Sequence, residues 1–278
     1  MGNFKLMDKM IIHLICPDQM GIISRLTSIL HESMNNILSI QQYVDKEKAK
    51  FYIRLSVQLN SEKIFPKTEL LNLNNELKGK MNLFNPNKKI NVAILGTKES
   101  APIYDLLIKN KSHELSCNFP IIVSNHRELS GISGQFDIDF YEISNNDELI
   151  SILKDNRIDL IVLARYMQII PEDIVELYKN KIINIHHGFL PAFKGARPYH
   201  QAYDRGVKIV GATAHYVTDK LDEGPIIFQD TIQINHKHSI RDIIQLGRDI
   251  EKNVLSKAVR AHLDYKIIVH NQKTIIFD

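Results

Sequence analysis

Four apolar runs, Ile90–Leu95, Asn118–Ser124, Ile158–Leu163 and Lys181–Ile185, alternate with stretches of helical period near Ile103–Lys109, Asp147–Asn156 and Glu172–Asn180. A strand fed through a helix returns to its sheet pointing the same way, so the alternation predicts an α/β fold with a wound, Rossmann-like, mostly parallel sheet and helices on both faces. Ligands of such sheets bind beyond the carboxyl ends of the strands. Two further apolar runs, Ile209–Val217 and Pro225–Ile234, precede a long helix from about Ser239 to His262. A terminal hairpin, Lys266–His270 and Lys273–Phe277, turns on Asn271-Gln272.

The segment in front of this array has a different grammar. Met10–Cys16 reads as a buried strand, broken by the turn residues Pro17-Asp18-Gln19-Met20-Gly21. Ile22, Ile23, Leu26, Ile29 and Leu30 then share one helical face, and Asn35-Asn36 ends that helix because Asn tolerates left-handed backbone. Ile37–Val44 and Phe51–Leu59 predict two strands around the charged turn Asp45-Lys46-Glu47-Lys48, and Phe65–Leu77 predicts a second helix. Gly79–Lys89 is polar, holds Asn85-Pro86-Asn87 and reads as a linker. Two domains follow, 1–84 and 85–278.

With 278 residues, 44% of them hydrophobic, the chain has enough apolar surface for two cores. A formal charge of +3 with 24% charged residues lacks the dense basic footprint of a nucleic-acid binder, so nucleic acid is not an expected partner. No apolar run approaches the roughly 18 residues that span a bilayer, and no secretory leader is visible, so no membrane partner is expected. Met1-Gly2 invites a myristoylation reading, but Leu6 stands where that signal needs Ser or Thr. Cys16 and Cys117 fit neither a disulfide framework nor a zinc site, which points to thiols in a reducing compartment, the cytoplasm.

The densest polar cluster, Asn184-Ile185-His186-His187-Gly188, closes a predicted parallel strand. Alternate residues of a strand share a face, so Asn184 and His186 can aim two hydrogen-bond donors at one small polar atom. The loop Thr218–Pro225 offers Asp222 as a carboxylate within reach of the same crevice. Taken alone, the same residues could equally be strand-end and turn groups satisfying local backbone. His187 falls on the other face, His215 reads as a core histidine that could back the site, and His236-Lys237-His238 lacks the Cys or carboxylate partners of a metal site. No metal is expected.

From about Ile90 onward the chain resembles the folate-dependent formyltransferase superfamily, and within it the formyltetrahydrofolate deformylases. The motifs are Asn184-Ile185-His186, Gly195-Ala196-Arg197-Pro198-Tyr199-His200-Gln201-Ala202, Gly211-Ala212-Thr213-Ala214-His215-Tyr216-Val217 and Leu221-Asp222-Glu223-Gly224-Pro225. The resemblance implies catalytic roles for Asn184, His186 and Asp222, and hydrolysis of 10-formyltetrahydrofolate to formate and tetrahydrofolate. The folate is substrate, and no cofactor is implied. The released formate would supply purine biosynthesis and balance the one-carbon folate pools. The matching segment Leu163–Ile170 implies a pterin pocket lined by Met167, Gln168 and Ile170, opposite the backbone of Thr218 and Asp219. Arg197 counts with the substrate-binding residues; it and Arg165 either meet the glutamate tail of folate or cover surface.

Cys16-Pro17-Asp18, Gly21-Ile22, Asn36-Ile37 and Gln42–Asp45 resemble an ACT domain, which implies a ferredoxin-like βαββαβ unit ahead of the catalytic sheet. That pairing is characteristic of the deformylases, and the long last helix leaves no room for the C-terminal barrel of the enzyme that formylates initiator tRNA. Two alternatives share these residues: transfer of the formyl group to an amine, and a folate-sensing protein without turnover. By the same resemblance Asp18, Met20, Gly21 and Asn36 are candidate contacts for an amino-acid effector, glycine or methionine, and the protein is expected to form a homo-oligomer, dimer or tetramer.

Overall fold

The apolar run near the start forms β1 (Lys9–Pro17) in the computed structural model, which describes residues 8–145, 147–192 and 197–278. It is followed by α1 (Ile22–Glu32), β2 (Asn36–Asp45), β3 (Lys50–Gln58), α2 (Lys67–Glu76) and β4 (Lys80–Phe84). The four strands form one antiparallel sheet in the order β2-β3-β1-β4. β1 and β3 are central and apolar almost throughout, because both their faces are covered. On one face Ile12, Leu14, Ile53 and Leu55 meet Leu26 and Leu30 of α1 and Leu70 and Leu73 of α2. Burying each such side chain contributes about 1.5–3 kcal/mol.

β4 is the last strand of the implied βαββαβ unit, and it corrects the reading of Gly79–Lys89 as a linker. Its five residues are too few to announce a strand by themselves, yet they pair with β1 from Ile11↔Phe84 to Ile15↔Lys80. Pairing with a buried neighbour, not local propensity, makes this segment a strand.

The opposite face of the sheet carries His13 and Arg54, directly paired across β1 and β3. Both are buried, and both donate to the carbonyl of Tyr265, His13 Nε2 at 2.8 Å and Arg54 Nε at 2.7 Å. Arg54 Nη2 also reaches the Asp264 carbonyl at 3.0 Å. Tyr265 stacks on Phe84, and Ile268 and Phe277 pack with Ile15 and Tyr52. By internal contacts, therefore, one compact unit runs to Lys88 and includes Asp264–Ile268 and Ile275–Asp278, and the other is Lys89–Leu263 with Val269–Thr274.

In the second unit the elements are β5 (Asn91–Gly96), α3 (Ala101–Lys111), β6 (Asn118–Ser124), a single 3₁₀ turn (Arg127–Leu129), α4 (Ser130–Phe136) and β7 (Asp139–Glu142). They continue as α5 (Leu149–Asp155), β8 (Leu160–Leu163), α6 (Glu172–Leu177), β9 (Ile182–His186), α7 (Pro198–Asp204), β10 (Ile209–Tyr216), β11 (Ile226–Gln233) and α8 (Ile240–Leu263). β12 (Ile267–His270) and β13 (Lys273–Ile276) form the terminal hairpin. The seven-stranded order is β11-β10-β9-β8-β5-β6-β7, parallel from β9 through β7, with β10 antiparallel to both of its neighbours. α4, β7 and α7 have no counterpart in the sequence reading. They are short, and their Gly- and Ser-containing or half-exposed residues carry no clear period.

α8 starts with a reciprocal cap, Ser239 Oγ accepting from Asp242 N–H at 3.2 Å while the Asp242 carboxylate accepts from Ser239 N–H at 2.8 Å. Ile243, Gly247, Ile250, Val254 and Ala258 make its buried stripe. No helix among the described residues is long and apolar enough to cross a membrane. The residues of the myristoylation argument lie outside the described ones, as do Gly195 and Ala196.

Burial lowers the His13 pKa to about 4, against the opposing pull of its bond to Tyr265 and with help from the nearby Arg54 charge. An unfolded histidine protonates near pH ~6.5, so the unfolded chain binds a proton that the folded one refuses. Stability from this group is complete above that value and is lost as pH falls toward 4. Urea denaturation at pH 7.5 and pH 4.5 should show that loss in the wild type and a smaller one in His13→Gln; equal losses would remove His13 from the acid response.

Candidate active site

β9 and β10 lie side by side and antiparallel, which places His215 opposite Asn184 and Thr213 opposite His186. Asp222 comes from the loop between β10 and β11. Its backbone is left-handed, φ 55°, and the loop folds so tightly on β10 that a Cβ at Gly224 would stand 1.7 Å from the Tyr216 carbonyl oxygen. The Tyr216 N–H bonds the Pro225 carbonyl at 2.9 Å and fastens the return. These constraints bring the Asp222 carboxylate to His186, Oδ2 to Nδ1 at 3.2 Å. Asn184, His186 and Asp222, expected to meet, form one cluster.

A fourth member joins it. His215 Nε2 lies 3.2 Å from Asn184 Nδ2 and 3.7 Å from Asp222 Oδ1. Its other nitrogen, Nδ1, is 2.9 Å from the Tyr216 carbonyl, which can only accept, so Nδ1 carries a proton. Nε2 of the neutral ring is then an acceptor, and it fixes which end of the Asn184 amide faces it: the NH₂. His215 is buried, as a core histidine is expected to be, and it backs the site through this contact. No local pattern in the sequence carries the β9/β10 register, and that register alone sets Asn184 against His215.

Burial works against the charge of Asp222, but the hydrogen bond from His186 outweighs it and holds the carboxyl well below the ordinary carboxylate range. His186 and His215 are both buried. Burial, aided by the charges of Arg165 and His186, lowers the His187 pKa to about 3, and its ring packs toward Tyr199 with centroids 5.9 Å apart.

Beside the cluster runs the segment after β8, whose Leu163 pairs with Asn184. It crosses the carboxyl end of β5, the strand flanked by β8 and β6, where the strand order reverses and wound sheets take their ligands. The Ala164 N–H bonds Leu95 O at 2.8 Å, and the Met167 N–H bonds Thr97 Oγ1 at 3.0 Å. Through this bond Thr97, in the loop after β5, supports the backbone of the crevice. Met167 and Gln168 are exposed, whereas Ile170 is buried in the core cluster beneath. Thr218 is half-buried with its hydroxyl on Lys220 O, and Asp219 is exposed. Arg197 is exposed at the left-handed entrance to α7. Arg165 turns to the buried Glu251, Nη1 to Oε2 at 3.5 Å, and Glu251 also accepts from the Tyr199 hydroxyl at 2.7 Å.

The proposed effector contacts do not form one group within a single copy. Asp18, Met20 and Gly21 share the exposed loop after β1, while Asn36 opens β2. Pro17 pairs with Lys50 and Asn36 with Gln58, so the two sets stand at opposite ends of β3. Eight residues of strand separate them by roughly 26 Å. Among the described residues no group of three or more His, Cys, Asp or Glu is arranged to hold a metal ion.

Comparison with known proteins matches residues 90–259 to the Formyl transferase family and residues 8–82 to the ACT domain family. A formyltetrahydrofolate deformylase of Synechocystis sp. is 40% identical over 274 residues, covering 94% of this chain and 96% of that protein. One from Escherichia coli strain K12 is 40% identical over 280 residues, covering 97% and 99%. The crystal structure of a formyltetrahydrofolate deformylase from Pseudomonas syringae pv. tomato superposes with a TM-score of 0.93 at 34% identity, covering 99% of this chain and 96% of the other.

The geometry at His215 makes a prediction that requires no turnover. Nitrogen NMR of the imidazole should find His215 as the Nδ1–H tautomer at neutral pH. A proton on Nε2 alone would reverse the Asn184 amide and contradict the arrangement.

Proposed function

The chain belongs to the formyltetrahydrofolate deformylases, and on that premise we propose that Asn184, His186 and Asp222 hydrolyse 10-formyltetrahydrofolate to formate and tetrahydrofolate. The 3.2 Å approach of His186 to Asp222, with Asn184 on the same face of the same strand, carries the assignment of the site. Similarity over the whole length of the deformylases, first unit included, supports water as the formyl acceptor.

The reaction follows from where charge develops. Water attacks the formyl carbon, and its negative charge gathers on the formyl oxygen. The Asn184 amide N–H and the His186 ring N–H donate to that oxygen, and such preorganised donors in a buried site commonly account for a factor of about 10²–10³ in rate each. Asp222 accepts from the other ring nitrogen of His186, which fixes the ring's direction, and takes the proton that the attacking water sheds. The carbon–nitrogen bond then breaks, the folate nitrogen leaves with a proton, and the formyl carbon departs as formate with one oxygen from water. Only these side chains, water and substrate enter the steps.

The pterin would lie along Met167, Gln168 and Ile170, whose backbone is steadied by Thr97, with Thr218 and Asp219 opposite; Arg197 stands exposed at the rim to meet the glutamate tail. The ACT domain suggests a small amino acid as effector. The exposed edge strand β2, with Leu38, Ile40 and Tyr43 uncovered, suits pairing between two copies. Antiparallel pairing of two such edges would carry Asn36 of one copy to the sheet end that bears the Asp18–Gly21 loop of the other, joining the separated contacts in a homo-oligomer. The reading extends to a cytoplasmic enzyme whose formate serves purine biosynthesis.

Purified protein given 10-formyltetrahydrofolate and no amine should release formate at a rate that glycine or methionine alters. Asp222→Asn should abolish release while folate binding, followed by fluorescence, stays within a few-fold. Undiminished turnover in that variant would remove Asp222 from the mechanism, and turnover that requires an added amine would make the enzyme a transferase.

A further inference from the structure

β9 ends at His186, and the chain leaves the sheet at once through His187–Pro191. Backbone groups of such a turn lose their strand partners and, buried, must find others. Here they find two side chains. The Thr213 hydroxyl donates to Gly188 O at 2.9 Å and accepts from the Leu190 N–H at 3.1 Å. Gln229 Nε2 donates to Leu190 O at 2.8 Å and to the same Thr213 oxygen at 3.0 Å. The hydroxyl thus makes one donation and two acceptances, its full capacity, in a side chain that is 0% exposed.

The register gives this arrangement its meaning. Thr213 stands opposite His186 across β9 and β10, and Gln229 stands opposite Thr213 across β10 and β11. The three residues form one row across three strands, with His186 at one end and the clasp at the other. Gly211, two residues before Thr213, explains the neighbouring motif position. A Cβ there would stand 2.4 Å from the Asp230 carbonyl oxygen, so the approach of β11 at this point requires a residue without a side chain, and it would also press on the Phe189 ring of the turn at 3.3 Å.

We propose that Thr213 and Gln229 are positioning residues for the hydrolysis: they clamp the Gly188–Leu190 turn and thereby set where the His186 ring stands relative to Asp222. Neither touches the reacting atoms. Their action is geometric, and a misplacement of about 1 Å in a catalytic group can lower a rate on the order of 100-fold. Replacing the hydroxyl by a methyl leaves Gly188 O and Leu190 N–H without partners in a dry place, and the turn must move to recover them.

The inference rests on the hydrolytic reading, so its test has two arms. In the first, Thr213→Val lowers kcat about 10-fold or more with KM for 10-formyltetrahydrofolate within about twofold, Thr213→Ser restores kcat, and Gln229→Met, which keeps the hydroxyl's two bonds to the turn, gives a smaller loss. The second needs no substrate: the His186 ring resonances shift in Thr213→Val and return in Thr213→Ser, while those of His13 stay in place. A Val variant with normal kcat and an unmoved His186 ring overturns the proposal, as does a loss that serine cannot rescue or one confined to KM. Failure of the wild type itself to release formate would defeat the hydrolytic reading alone, because the ring resonances still decide the clamp.

Discussion

Asp222 keeps its charge in a setting that penalises charge because His186 stands 3.2 Å away and answers it. A buried carboxylate without such a partner would cost several kcal/mol or take up a proton. The surrounding fold is arranged around this pair. The β9/β10 pairing carries His186 and His215 to the crevice, and the tight return at Gly224 carries Asp222 to them. Each member limits the freedom of the next: the Tyr216 carbonyl sets the His215 tautomer, His215 sets the Asn184 amide, and Asn184 and His186 share a face as alternate residues of one strand.

Much of this was legible in the sequence. Apolar runs alternating with helical stretches located four of the five parallel strands to within a residue or two, because both faces of those four are buried and their runs are unbroken; the short, half-exposed β7 escaped. The cluster of Asn184, His186 and Asp222 was legible too, by resemblance to motifs more than by spacing, since Asp222 lies more than thirty residues beyond the strand it faces. What stayed hidden depends on pairing between distant segments. The residues of β4 do not announce a strand by themselves and form one because β1 lies beside them, His215 meets the Asn184 amide because β10 pairs with β9, and Thr97 supports the Met167 backbone because β5 neighbours β8. The placement of Asp18, Met20 and Gly21 at one end of β3 and of Asn36 at the other depends on pairing in the same way. Closeness in a motif says nothing about which end of a sheet a residue occupies.

The two units use buried polar groups in the same way. In the first, His13 and Arg54 exist as buried side chains because the Tyr265 carbonyl accepts from both. In the second, Thr213 and Gln229 satisfy the backbone of a turn that no strand can satisfy. Such groups add little net stability when paired and cost much when one partner is lost. Their worth lies in holding a single geometry, which a site built on the placement of one imidazole requires.

The central claim is that solvent, not an amine, takes the formyl carbon at this cluster. Turnover of 10-formyltetrahydrofolate in water enriched in oxygen-18, without any amine, tests it directly. The account predicts formate bearing one solvent oxygen, formed at a rate that vanishes with Asp222. Formate free of the label when quenched early, or no formate until an amine is supplied, would contradict it.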